Sequence, residues 1–243
     1  MGKNIAITGA STGLGAETAR VLAEGNEIVI HYNSSKKAAE EVAADVQKAG
    51  GTAHLIQADL TKPEECERFV KEIGSRFSNL DVLVNNAGGL IKRQPIEELD
   101  WEFMIQTFTL NTFSTMKVTS LCVPMLEKAD DPVVINVTSI AMRHGAPSAT
   151  IYGAAKGAID SFTRGAANEL APKIRVNAVA PGVIETPFHE KVSTPDRMQA
   201  FKEKTPLKRN GQAIHIATAV KFLVDNDFTT GETVDVNGGL FMS

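Results

Sequence analysis

The chain has 243 residues, of which 43% are hydrophobic and 22% are charged, and its formal net charge is −4. A chain of this size and composition can bury a large core as one domain, rather than as two small domains or a disordered segment. Neither a basic stripe for nucleic acid nor a run of the roughly 18 apolar residues needed to cross a bilayer is present in the sequence.

The cysteines and the start of the chain indicate the cellular compartment of the protein. Cys66 and Cys122 lack the spacing of a redox or metal-binding motif, and the five histidines are scattered, so we expect reduced structural thiols and no metal site. The first apolar run begins almost at Met1, with no charged and apolar leader before it. We therefore expect a cytoplasmic protein.

Asn4 to Thr8 predicts a short buried strand, and a glycine-rich turn follows directly, with Gly9, Gly13 and Gly15. A helical pattern continues to Leu22. Such a turn lets a ligand approach the backbone, and the free N–H groups at the helix start attract a pyrophosphate. The spacing Gly-x-x-x-Gly-x-Gly differs from the more common Gly-x-Gly-x-x-Gly. The alternative is that these glycines only form a tight turn.

Short β-branched runs then alternate with amphipathic stretches along the whole chain, which predicts an α/β fold with a doubly wound parallel sheet and helices on both faces. In such sheets ligands bind beyond the carboxyl ends of the strands. The runs that predict strands are 4–8, 27–31, 52–57, 80–85, 133–138, 174–180 and 233–236. The candidate binding positions at their ends are Gly9, 31–35, Asp59, 85–88, Ser139 and 181–186.

Tyr152 and Lys156 lie four residues apart in a helical pattern, so both point to one face. A neighbouring ammonium favours the phenolate, and we expect Lys156 to lower the pKa of Tyr152. Such a pair can give a proton to a carbonyl or take one from an alcohol. The spacing alone is also compatible with two residues on a helix surface.

Taken together, the motifs resemble those of the short-chain dehydrogenase/reductase family, in the same order and over nearly the whole chain. They are Thr8-Gly9-x-x-x-Gly13-x-Gly15, Asp59-Leu60, Asn85-Asn86-Ala87-Gly88, Asn111, Ser139, Tyr152-x-x-x-Lys156 and Pro181-Gly182. Segments 175–182 and 236–239 are similar to the branch with 3-oxoacyl-(acyl-carrier-protein) reductases and bacterial glucose dehydrogenases. The resemblance implies one Rossmann-type domain over 1–243, a nicotinamide cofactor and a homotetramer.

The candidate catalytic residues are Asn111, Ser139, Tyr152 and Lys156. Ser139 follows a predicted strand, where its hydroxyl can stabilise charge on a substrate carbonyl, and Tyr152 would donate the proton. The resemblance implies that Lys156 also binds the nicotinamide ribose and that Asn111 holds a water in a proton relay. The cofactor-binding residues that it implies are Gly9, Ser11, Thr12, Gly13, Leu14, Gly15, Tyr32, Asn33, Ser34, Asp59, Leu60, Asn86, Ala87, Gly88, Tyr152, Lys156, Pro181, Gly182, Ile184 and Thr186.

Several positions have a structural alternative: Ser139 as a turn residue, and Asn111 as a core amide that kinks its helix. Asp59 can cap the helix predicted at Pro63, but Thr61 fits that cap better, which leaves Asp59 to receive the adenine amine as the resemblance implies. Asn85 is expected to tie neighbouring strands together.

The segment after the second strand favours NADP(H), with NAD(H) possible. Tyr32 stands where an NAD enzyme commonly has an acidic residue, and Asn33, Ser34 and Ser35 can donate hydrogen bonds to a 2'-phosphate. Lys36 and Lys37 either add charge there or form the solvated first turn of the next helix. Thr12 departs from the Arg or Lys that many NADP-using relatives carry before the second glycine.

The substrate is expected to be a small carbonyl or alcohol compound under a mobile lid at about 187–206. Lys92, Arg93, Arg143 and His144 either attract an anionic substrate or are solvated loop charges. Three functions remain open at this point: a 3-oxoacyl-(acyl-carrier-protein) reductase, a sugar or sugar-acid dehydrogenase and a non-catalytic dinucleotide sensor.

Apolar residues on the helices around 99–126 and 152–170 and in the tail 239–243 predict interfaces between subunits. Those on the helices are Phe103, Phe108, Leu110, Phe113, Met116, Ile159 and Phe162.

Overall fold

In the described part of the chain, nine strands form a seven-stranded parallel sheet and a small two-stranded one. They are β1 (Asn4–Ile7), β2 (Glu27–Tyr32), β3 (Thr52–Gln57), β4 (Val82–Asn85), β5 (Val133–Val137), β6 (Arg175–Pro181), β7 (Ile184–Glu185), β8 (Gly211–Gln212) and β9 (Thr233–Val236). The computed structural model describes residues 2–242, apart from the side chains of 189–191. All seven predicted strands are confirmed, with ends that differ by at most two residues.

Ten α-helices in the described chain connect the strands. They are α1 (Gly13–Val21), α2 (Lys36–Lys48), α3 (Pro63–Gly74), α4 (Trp101–Phe108), α5 (Ser114–Leu126), α6 (Ala141–His144), α7 (Thr150–Leu170), α8 (Pro187–Val192), α9 (Pro195–Lys204) and α10 (Ala213–Asp225). A π-helical turn, Thr109–Phe113, joins α4 to α5 and contains Asn111. None of the helices within residues 2–242 is both long and apolar enough to span a bilayer.

The large sheet has the order β3-β2-β1-β4-β5-β6-β9 and all of its pairs are parallel. After β3 the chain returns to the other side of β1, so the strand order reverses between β1 and β4. Ligands bind at such a switch point, beyond the carboxyl ends of the strands. The predicted doubly wound α/β fold is confirmed.

The core lies in two layers, one on each face of the sheet. Because side chains alternate along a strand, Ile5 and Ile7 pack against α1, α2 and α10, whereas Ala6 packs against α3, α5 and α7. Strands buried on both faces are nearly continuous apolar runs, which is why the sequence pattern located them well. The two layers hold the carboxyl ends of β1, β4 and β5 side by side.

Candidate active site

A cavity of about 740 Å³ opens at the carboxyl ends of the strands, within the size range of small-molecule sites. It brings together most of the residues that the sequence singled out. Those that line it are Gly9, Ser11, Thr12, Gly13, Leu14, Asn33, Ser34, Asn86, Ala87, Gly88, Ser139, Tyr152, Lys156, Pro181, Gly182, Ile184 and Thr186. Gly15, Tyr32, Asp59, Leu60 and Asn111 do not line it.

The glycine turn forms one end of the cavity. Gly9 and Gly13 have φ of 63° and 57°, in the left-handed region that favours glycine. Helix α1 begins after Thr12 without a side-chain cap and without an acidic residue in its first turn. Its first N–H groups therefore lack a carboxylate competitor, and the positive end of the helix dipole favours an anion here.

Gly15 does not line the cavity but allows α1 to pack closely against neighbouring segments. A Cβ at this position would lie 2.5 Å from both Asn86 Nδ2 and the carbonyl oxygen of Gly9. The start of α1 can approach the end of β4 only because Gly15 has no side chain. Gly15 thus supports the glycine turn that lines the cavity without lining it itself.

His31, one of the strand-end positions 31–35, is a member of the site for which the sequence predicted no role. Its Nδ1 accepts a hydrogen bond of 2.8 Å from the Gly9 N–H, and its Nε2 lies 3.0 Å from the Ala58 carbonyl oxygen. The ring is buried and lines the cavity. Burial lowers the pKa of His31 from 6.5 to about 4, against the opposing effect of the Ala58 hydrogen bond. A neutral imidazole with the proton on Nε2 satisfies both contacts.

Tyr32 is placed differently from the expectation. Its side chain is 9% exposed and belongs to the core layer with α1 and α2. Asn33, Ser34 and Ser35 are exposed and line the cavity instead. Lys36 lies outside the lining, 3.8 Å from Glu40, as a solvated residue of the first turn of α2.

The expectation that Thr61 caps α3 and leaves Asp59 free is wrong. The N-cap of α3 is Lys62, without a side-chain cap. Asp59 Oδ1 accepts hydrogen bonds from the Thr61 N–H and hydroxyl at 3.2 and 2.6 Å, and these bonds lower the pKa of its carboxyl. Asp59 is therefore already engaged in a local turn. Leu60 packs into the core layer with α3.

Asparagines tie the strand ends together. Asn85 Nδ2 donates to Asn136 Oδ1 at 2.9 Å and to Thr119 Oγ1 at 2.8 Å, which joins β4 to β5 and α5 as expected. Asn86 Nδ2 donates to the carbonyl oxygens of Thr8 and Gly9, both at 2.9 Å. These bonds hold the glycine turn against the end of β4.

Ser139, Tyr152 and Lys156 meet on the opposite wall of the cavity. Burial raises the pKa of Tyr152, and its hydrogen bond to Ser139 opposes this effect. Lys156 Nζ donates to the Val137 carbonyl oxygen at 2.8 Å, and burial lowers the pKa of Lys156 from 10.5 to about 8. The expected lowering of the pKa of Tyr152 is therefore not found, because burial of the phenol raises it.

Asn111 lies behind the cavity wall, in the π-helical turn. Its side chain accepts from the Gly89 N–H at 2.8 Å and donates to the carbonyl oxygens of Gly89 and Thr107, both at 3.0 Å. A Cβ on Gly88 would lie 2.7 Å from Asn111 Oδ1 and 3.2 Å from Lys156 Nζ. The Asn111 amide thus holds the segment beside Lys156.

Only two of the four cations expected near the mouth line the cavity, namely Arg93 and His144. Arg143 lies 3.5 Å from Asp235, and Lys92 Nζ lies 4.6 Å from the centre of the Phe103 ring. Two further cations, Arg197 and Lys204 on α9, line the cavity. No group of three His, Cys, Asp or Glu side chains suited to a metal occurs in the described part of the chain.

Several known proteins are similar to this chain over nearly its whole length. The family model described as Enoyl-(Acyl carrier protein) reductase matches residues 9–241. A 3-oxoacyl-(acyl-carrier-protein) reductase of Staphylococcus epidermidis is 38% identical, with all of both chains covered. An NADH-dependent reductase responsible for alginate metabolism has a TM-score of 0.91 at 31% identity, covering 100% of this chain and 98% of its own. An angucycline C-6 ketoreductase with bound NADP has a TM-score of 0.90 at 27% identity, covering 98% and 95%.

Proposed function

Because the chain belongs to the short-chain dehydrogenase/reductase family and is an oxidoreductase, we propose that it uses NADP(H) to reduce the 3-oxo group of an acyl thioester. The observation that carries this proposal is the convergence of Ser139, Tyr152 and Lys156 on one cavity that also contains the glycine turn. A sensor that had lost its chemistry would not need these three groups together. The named activity of the Staphylococcus relative supports the thioester.

The cofactor assignment follows from the geometry of the glycine turn. The uncapped start of α1 suits a pyrophosphate, and exposed Asn33, Ser34 and Ser35 suit a 2'-phosphate because they donate hydrogen bonds and carry no negative charge. We propose that the nicotinamide end lies toward Lys156, which then binds the ribose. The bound nicotinamide supplies the hydride that reaches the substrate carbon.

The residues of the chain manage the oxygen of the substrate. Ser139 and Tyr152 line the same cavity, so a carbonyl oxygen placed between them can accept from both hydroxyls. As negative charge develops on that oxygen, the Ser139 hydroxyl stabilises it and the Tyr152 hydroxyl donates its proton. The product is a secondary alcohol. Lys156 places a positive charge one helical turn away, and Asn111 positions the backbone beside it.

We also propose that the segment 187–206 is the lid of one NAD(P)-binding domain. It contains α8 and α9. Thr186, immediately before the segment, lies close to Gly13, where an added Cβ would be 3.6 Å from Thr186 Cβ. Phe188, Arg197, Phe201 and Lys204 line the cavity. Lids of this kind exclude water and set specificity.

A homotetramer in the cytoplasm completes the proposal. Of the predicted interface residues, Phe113 is 49% exposed, whereas Phe103 and Ile159 are buried within the subunit. Met242 is 73% exposed, and Ser243 at the end of the predicted tail lies outside the described residues. Exposed apolar side chains of this kind are typical of interfaces between subunits, which supports the proposed assembly. Cys66 and Cys122 are free, buried thiols, as suits a reducing compartment.

A sugar-acid dehydrogenase is the second candidate, favoured by the cations Arg93 and Arg197 in the cavity wall. The experiment that separates the candidates measures NADPH and NADH oxidation with 3-oxoacyl thioesters, keto sugar acids and simple ketones. The proposal expects the highest kcat/KM with a thioester and NADPH. A clear preference for keto sugar acids would replace it, and no turnover with any compound would favour a sensor.

A further inference from the structure

The lid wall of the cavity carries a cluster of positive charge, which we call the lid cations: Arg93, Arg197 and Lys204. Two of them lie on α9 together with Phe201, at positions i, i+4 and i+7, which share one helix face. Arg197 lies 6.0 Å from the centre of the Phe201 ring. This face of α9 is therefore turned toward the cavity with a cation at each end and an aromatic ring between them.

Arg93 is fixed at the substrate end of the cavity. Its Nε donates a hydrogen bond of 3.2 Å to the Val192 carbonyl oxygen. Val192 packs against the small cluster that also contains Leu90 and Tyr152. The guanidinium is thereby held on the side of the candidate proton donor, and not beside the glycine turn that suits the cofactor pyrophosphate.

The lid cations lack a counter-charge in the described protein. Among the side chains that the structure describes, no Asp or Glu lines the cavity, and none of the three cations has an ion-pair partner within 4.0 Å. Burial lowers the pKa of Arg93, and the charge of Arg197 lowers it further. Two like charges held together in a partly buried wall are unfavourable, and a bound anion would relieve this repulsion.

We propose that Arg93 and Arg197, assisted by Lys204, form a subsite for an anionic group of the substrate, a carboxylate or a phosphate, distant from the cofactor phosphates. This inference rests on the proposed ketone reduction and names the class of ketone, one with a negative charge on its tail. Arginine suits both anions because its planar guanidinium donates two parallel hydrogen bonds to their oxygens. The phosphate of a phosphopantetheine thioester and the carboxylate of a keto acid are the two sources of such a charge.

The test compares two matched pairs of substrates with NADPH. Acetoacetyl phosphopantetheine and acetoacetyl pantetheine differ by one phosphate, and levulinate and methyl levulinate differ by one negative charge. In the wild type we expect kcat/KM to be at least about tenfold higher for the charged member of one pair, and the pair with the preference identifies the anion. Equal kcat/KM within both pairs overturns the subsite.

Variants of the lid cations test whether these residues cause the preference for the charged substrate. Arg197→Gln and Arg93→Gln should each lower the ratio of charged to uncharged kcat/KM about tenfold, whereas Arg197→Lys should retain most of it. Lys202→Met removes an exposed charge from the same helix but away from the cavity, and it should leave the ratio unchanged. A ratio that survives both glutamine variants contradicts the inference.

The experiment distinguishes failure of the proposed ketone reduction from failure of the anion subsite. If the wild type reduces none of the four compounds, ketone reduction is wrong, and the subsite is then judged by calorimetry with inorganic phosphate and with succinate. Weaker binding of either anion by Arg197→Gln than by Lys202→Met supports the subsite. Equal binding by the wild type and both variants overturns it.

Discussion

The backbone N–H of Gly9 donates to Nδ1 of His31 at 2.8 Å, and this bond joins the glycine turn to β2. The imidazole must be unprotonated at Nδ1 to accept it. Because burial holds the pKa of His31 near 4 in the folded protein, protonation of the unfolded chain below pH 6.5 acts against folding.

We therefore predict that the free energy of unfolding falls as pH is lowered from about 6.5 to about 4, by about 3 kcal/mol from this residue. The contribution is fully present above pH 6.5. Urea unfolding at a series of pH values measures it. His31→Asn should lose this part of the slope, whereas His54→Asn on edge strand β3 should keep it. An unchanged slope in His31→Asn would show that His31 is not the responsible group.

Cofactor preference is expected to depend on Asn33, the first exposed residue after β2. Asn33→Asp should lower the ratio of kcat/KM for NADPH to that for NADH at least about tenfold, because a carboxylate repels the 2'-phosphate. Lys37→Gln changes the net charge by the same amount but lies outside the cavity lining, and it should leave the ratio nearly unchanged. A wild type that already prefers NADH contradicts the NADP(H) assignment.

Gly15 is predicted to control the shape of the cofactor site without contact to the cofactor. Gly15→Ala places a Cβ 2.5 Å from Asn86 Nδ2 and the Gly9 carbonyl oxygen, so the turn must shift. The dissociation constant of NADPH, measured by fluorescence titration, should rise at least about tenfold. Gly165→Ala in α7, where a Cβ meets nothing within 4 Å, is the control. Equal affinity in both variants would mean that the turn tolerates the extra atom.

The sequence predicted the sheet, and the positions of several residues that line the cavity, for a physical reason. Buried parallel strands are apolar runs that end in turn residues, and the ends of neighbouring strands must meet at one edge of the sheet. Ser139 and the segment 85–88 could therefore be placed from the pattern alone. Tyr152 and Lys156 followed from helical spacing and from the family resemblance.

Contacts between distant segments decided what the sequence could not predict. His31 and Tyr32 are adjacent on β2, and only packing shows that the first reaches Gly9 while the second is buried in the core. The competition between Thr61 and Asp59 at the start of α3 was decided by a local turn. Arg197 and Lys204 lie in the predicted lid, but the sequence of this polar helix does not indicate which of its faces lines the cavity.

Assembly is predicted to follow the exposed apolar residues. Light scattering at micromolar concentration should give a mass near four times 26.0 kDa. Met242→Glu should weaken one contact and produce smaller species, because it brings charge into an apolar interface. Lys48→Glu at the exposed end of α2 should leave the mass unchanged. A monomeric wild type contradicts the homotetramer.

The most direct test of ketone reduction by this site is the turnover of Tyr152→Phe with NADPH and the best substrate of the wild type. The change removes one hydroxyl and keeps the ring, so kcat should fall at least about a hundredfold, while the dissociation constant of NADPH stays within about twofold of the wild-type value. Tyr32→Phe, at the other tyrosine of the chain, should retain full turnover. Near-wild-type turnover by Tyr152→Phe would contradict the account.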